Sequence, residues 1–180
     1  MKKIRLMRKK GLRIEVTFDL KGQPEGAPGH ELSSWIGVLS REHVPIWTKY
    51  WRSKDLDKVK DVIWREIYEA FTIEDWYRKR ALNVCGELAE GFRSDLYVTF
   101  IQPYLSIPEE DVNIYKRPPT VAHYYPSIND EDWEAFVRYR RFSDFQLLSS
   151  NARKIRAENE YCSMVGRVEY RELEQSMVRY

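Results

Sequence analysis

The chain has 180 residues, of which 43% are apolar, 14% aromatic and 32% charged, with a net charge of +2 at neutral pH. That length allows one domain or two small ones and supplies enough apolar material for a core. No apolar run approaches the ~18 residues of a membrane span, and the basic N-terminus lacks the apolar centre of a signal peptide, so no membrane partner is expected. Cys85 and Cys162 are the only cysteines; isolated and without metal-ligand spacing, they read as reduced thiols of an intracellular protein. His30, His43 and His123 lie far apart. Nothing suggests a zinc site, and no cofactor is expected.

Residues 1–13 hold seven Lys or Arg and no acid: Lys2, Lys3, Arg5, Arg8, Lys9, Lys10 and Arg13. We expect a flexible basic arm over residues 1–11. From Leu12 to Leu20, apolar residues (Ile14, Val16, Phe18) alternate with polar ones, the period of a half-buried strand. Three Gly and two Pro between Gly22 and Gly29 make a loop. No convincing partner strand follows at hairpin distance, so this strand must pair with a distant segment or with another chain.

Residues 30–102 form the richest region, with Trp35, Trp47, Trp51, Trp64 and Trp76 set among basic residues. Ser33 or Ser34 can cap a short helix that the Val44-Pro45 step ends. Asp57 caps a second, to about Phe71, with Val59, Val62, Ile63, Ile67 and Ala70 at helical spacing. A longer helix is expected from about Asp75 to Phe100. Its stripe is Leu82, Cys85, Leu88, Ala89, Phe92 and Leu96, and Gly86 and Gly91 are weak points that allow close packing or a kink. Trp35, Trp51, Trp64, Trp76 and, later, Trp133 are expected in the core, since tryptophan is rarely left in water.

Prolines punctuate residues 103–126, which read as a linker and the best domain boundary. Pro108 to Asp111 could start one helical turn. The C-terminal region, 127–180, is helical again. Asn129 or Asp130 caps a helix with Trp133, Phe136 and Val137, Ser143 caps a second, and residues 167–178 suit a last one.

At this point the residues resemble a family. The blocks RIEVTFDLKGQPEG, LSSWIGVLSREHVPI, WRSKDLDKVKDVIWREIYEAFTIED, ALNVCGELAEGFRSDL, the run from Pro118 to Asn159, and EYRELEQSM follow the order and spacing of plant transposon-associated proteins of the Ptta/En/Spm (CACTA) transposase type. The resemblance covers most of the chain. It implies a nuclear, DNA-associated protein distinct from the larger transposase that carries strand transfer. Two departures lower positive charge where DNA contact would be expected. After Leu88 the family pattern has a tryptophan and basic residues, where this chain has Ala89 to Arg93. After Asn159 a basic pattern gives way to Cys162 through Tyr170.

Enzyme chemistry is the weakest reading. An acidic-triad transposase needs a sheet to bring three carboxylates to two metals, and one strand cannot build it. There is no G-x-S-x-G, P-loop or H-E-x-x-H motif. We therefore expect a mainly α protein, a tryptophan-rich helical bundle with a minor N-terminal β-strand. It would be non-catalytic, have no small-molecule substrate, and bind double-stranded DNA through basic residues that neutralise phosphates. The candidates are Lys2, Lys3, Arg5, Arg8, Lys9 and Lys10 of the arm; Arg78, Lys79 and Arg80; Arg138, Arg140 and Arg141; and Arg153, Lys154 and Arg156. Solvated charged faces are the bland alternative for each. The rival readings are a protein-interaction or assembly module, with a second copy or an element-encoded transposase as partner, and a degenerate element remnant without DNA binding.

Overall fold

The basic N-terminus is a helix. In a computed structural model of the protein, which describes residues 2–48, 50–105 and 117–158, α1 runs from Lys2 to Lys9. The expected flexible arm is corrected here. Ile4 is buried at 2% exposure, and Met7, one turn on, packs against the same core. Gly11 ends the helix in the left-handed region, with Leu12 N–H on the Met7 carbonyl and Gly11 N–H on that of Arg8. This paired closure is the Schellman arrangement.

The strand is shorter than its alternation predicts. β1 is Ile14–Glu15, and its partner is β2, Phe71–Thr72, in parallel register with Ile14 opposite Phe71. The distant-segment alternative therefore holds. Ile14 and Val16 face the core, while Leu12 and Leu20 lie in water. Residues 18–24 fold back instead of extending the strand. Phe18 bridges Pro24, and Asp19 accepts the N–H groups of Lys21 and Gln23 on one carboxylate oxygen.

Between the strands lie two helices. α2, Gly26–His43, starts inside the expected loop, well before any serine cap, and stops at the Val44-Pro45 step as expected. Its inner stripe is Leu32, Trp35, Ile36 and Leu39, spaced by three and four. α3, Asp57–Ala70, buries Ile63, Ile67 and Ala70. A 3₁₀ turn, Lys54–Leu56, precedes it, capped by Ser53. Asp57 therefore sits in the first turn of α3, where its carboxylate pairs with Lys60 at 2.9 Å.

α4, Arg78–Phe100, is the central helix. Ala81, Cys85 and Ala89 pack on α2 and α3 in the main core. Gly86 is a seat: a Cβ there would lie 2.6 Å from the indole of Trp51. The second half of α4 buries Phe92, Arg93, Leu96 and Tyr97. Two further helices lie against it, α5 (Pro119–Tyr124) and α6 (Asp130–Arg141). Phe92 meets Tyr125 edge-on at 4.8 Å, and Phe100 meets Trp133 at 6.3 Å. Asn129 caps α6 as expected, accepting the Asp132 N–H at 2.7 Å.

The domain boundary differs from the expected one. The described residues up to Arg140 form one compact unit, which takes in described residues on both sides of the proline-rich stretch. A second unit begins at Arg141 and contains α7, Ser143–Ala157. The helices expected near Pro108 and over 167–178 lie outside the described residues. Among the tryptophans, Trp35 and Trp133 are buried at 1% and Trp51 and Trp64 half-buried. Trp76 is 52% exposed, against expectation, because its ring lies over Gly22 and Phe18 on the surface of the 18–24 turn.

Candidate nucleic-acid interface

Most of the basic N-terminus is engaged within the protein. Lys3 pairs with Glu31 at 2.7 Å and Arg5 with Glu42, both on α2. Arg8 reaches α3, holding Glu66 through Nη1 and Glu69 through Nε. Burial works against the Arg8 charge, but the hydrogen bonds and charges of Glu66 and Glu69 outweigh it and raise its pKa above the ordinary value. The other oxygen of Glu66 meets His43 Nε2 at 2.8 Å, so α1, α2 and α3 converge on one carboxylate. Arg13 donates twice to the Phe71 carbonyl, at 3.0 and 2.7 Å, and lies over the Tyr68 ring. Lys2, Lys9 and Lys10 stay exposed on α1 and the turn that ends it.

The trio on α4 divides three ways. Arg78 pairs with Asp61 of α3, Arg80 donates to the Lys21 carbonyl at 3.2 Å, and Lys79 is exposed to solvent. On α6, Arg138 is exposed, while Arg140 and Arg141 are half-buried. Helical spacing does put Arg138 and Arg141 one turn apart, but their exposure differs. On α7, Arg153, Lys154 and Arg156 are all exposed, and no carboxylate pairs with them among the described residues. Of the candidate cations, Arg153, Lys154 and Arg156 on α7 and Lys2, Lys9, Lys10, Lys79 and Arg138 are exposed and outside any ion pair among the described residues.

Sequence reasoning missed Arg93. It follows Phe92 and lies four residues after Ala89 and four before Tyr97, all buried, so the stripe itself carried the signal. Arg93 is 6% exposed and donates to the Thr48 carbonyl at 2.7 Å. Burial lowers its pKa, partly offset by Glu90 and Tyr139. Arg140 is lowered too, by burial first and then by the charge of Arg93; its guanidinium lies 4.9 Å from the Phe136 ring.

Among the described residues no group of three His, Cys, Asp or Glu could hold a metal ion, and no helix is long and apolar enough to cross a membrane. No protein-family model, curated protein or solved structure matches the chain. Chemically, the exposed cations can meet phosphate oxygens from the surface, whereas the paired ones hold helices together.

Proposed function

We propose that the protein is a non-catalytic, transposon-derived nuclear protein that associates with double-stranded DNA. The supporting observation is the basic end of α7, where Arg153, Lys154 and Arg156 are exposed and without a carboxylate partner among the described residues. Arg153 and Arg156 share a face, so both can lie along one phosphate strand. Lys9, Lys10, Lys79 and Arg138 supply further phosphate partners. The N-terminal helix contributes less than its cations suggest, because Lys3, Arg5 and Arg8 are already neutralised by Glu31, Glu42, Glu66 and Glu69.

One observation favours a second reading, an assembly module. The same helix exposes Leu147, Leu148 and Ile155, at 62%, 67% and 66%. Salt separates the two. Fluorescence anisotropy with a random-sequence duplex, titrated at several salt concentrations, should give a log–log slope of several units. Replacing Arg153, Lys154 and Arg156 by Gln should weaken binding and flatten the slope by roughly one unit for each phosphate that is no longer neutralised. A folded sample that fails to bind at low salt overturns the DNA reading and leaves the assembly module.

A further inference from the structure

Between α2 and α3 the chain passes through Ile46, Trp47 and Thr48, then Tyr50 and Trp51, and their side chains divide between inside and outside. Ile46 and Thr48 are buried, and the Thr48 carbonyl accepts a 2.7 Å hydrogen bond from Arg93 of α4. Trp51 sits on Gly86 of the same helix, with Lys60 Nζ 5.5 Å from its ring centroid. Two backbone turns close the segment, Thr48 N–H on the Pro45 carbonyl and Ser53 N–H on that of Tyr50. The loop is thus pinned at both ends. What it leaves outside is Trp47, 47% exposed, and Tyr50, 73% exposed. They are three residues apart, so their Cα atoms stand within about 11 Å of each other.

Large aromatic rings are usually buried, and two left in water on a pinned loop call for an explanation. The charge around them narrows it. From Trp47 to Lys60 the chain carries five cations and two acids. Arg52, Lys54 and Lys58 are exposed, whereas Asp57 is taken up by Lys60 at 2.9 Å and Asp55 accepts from the Ser53 hydroxyl at 2.9 Å. Protein interfaces favour Trp and Tyr but are poor in Lys, so a polyanion with flat faces fits better. Bases in a duplex are already stacked. Those of a single strand are open to aromatic rings, while its phosphates meet cations. We propose that Trp47 and Tyr50 form a stacking platform for the unpaired bases of a single nucleic-acid strand, whose phosphates meet Arg52, Lys54 and Lys58. Because the loop is pinned beforehand, binding carries little cost of ordering it. The site uses none of the residues proposed to meet duplex DNA and does not rest on that reading.

The test is fluorescence anisotropy of the full chain with a labelled thymidine oligomer of roughly 16 nucleotides, set against a strand of the same length whose sugars carry no bases. The two have the same phosphate charge, so a difference in affinity comes from the bases. The thymidine strand should bind more tightly and quench tryptophan fluorescence. Trp47→Ala and Tyr50→Ala, both at exposed side chains, should stay folded and each weaken thymidine binding by roughly 5- to 150-fold, with the base-free strand unaffected. Replacing Arg153, Lys154 and Arg156 by Gln should leave the preference for bases unchanged. Equal affinity for the two strands overturns the proposal. So does thymidine binding undiminished in the folded Trp47→Ala and Tyr50→Ala proteins, or no binding of either strand at low salt, which would leave the rings to a protein partner. Duplex anisotropy is a separate readout, so either idea can fail without the other.

Discussion

The indole of Trp51 rests on the backbone of α4 at Gly86, where an added Cβ would stand 2.6 Å from ring atoms Cγ and Cδ1. Those atoms sit at the root of the ring and cannot swing away as a flexible chain end would. Gly86→Ala should therefore destabilise by about 1–3 kcal/mol, the usual cost of overpacking. Gly91, in the same helix, meets nothing within 4 Å. There the same substitution should stabilise by roughly 0.5–1 kcal/mol, since it removes only backbone freedom. Urea unfolding of the two variants should move the midpoint in opposite directions.

Trp35 and Trp76 separate core from surface. Trp35 is 1% exposed on the inner face of α2, and Trp35→Ala should cost ~3–5 kcal/mol. Trp76 is half in water, and its truncation should cost well under half of that. Equal losses in thermal unfolding would contradict the difference in burial.

Burial pushes the Cys85 thiol from an ordinary 9.0 up to about 12. The folded chain keeps this proton while the unfolded chain loses it. Stability from this group is therefore complete below pH 9 and falls as pH rises, at ~1.4 kcal/mol per pH unit, until about 12. Tyr77, also raised by burial, acts in the same direction at higher pH. In a Cys162→Ser background, Cys85→Ala should show a shallower loss of stability between about pH 9 and 10. Iodoacetamide should label native Cys85 far more slowly than the unfolded chain.

Arg8 is a structural residue. Arg8→Met strands Glu66, whose side chain is only 16% exposed, and leaves it with His43 alone. The loss should be about 1–3 kcal/mol, in the range of hydrogen bonds to charged groups. Lys10→Met, on an exposed side chain, should change stability by less than ~0.5 kcal/mol. Guanidinium unfolding would mask the contrast by screening charge, so urea is the denaturant to use.

How much of this was legible depended on period. α3, the C-terminal end of α2 and most of α4 follow apolar spacing and the Val44-Pro45 break, and their order was readable. α1 is not legible in this way, because a run of cations has the same local pattern in a solvated arm as in a helix, and Ile4 and Met7, one turn apart and both directed inward, are too few to set a period. The acids that neutralise its charge lie far along the chain, up to 61 residues away, where no local rule looks. The boundary at Arg140 was hidden for a related reason: prolines mark turns, but only the rings of Tyr125 and Trp133 reveal that the chain returns to α4. The candidate interface was readable as composition and not as availability, which is set by pairing.

Arg13 and Phe71, tied by two hydrogen bonds across 58 positions, also set an order of events. The start of the chain leaves the ribosome before anything it docks on exists. β1 has no mate until Phe71 emerges, and α1 has no acidic partners until Glu31, Glu42, Glu66 and Glu69 follow. This end is thus among the last parts to settle, a closure whose entropic cost is met only once α3 is in place. A tag or truncation here would act on folding before it could report on binding.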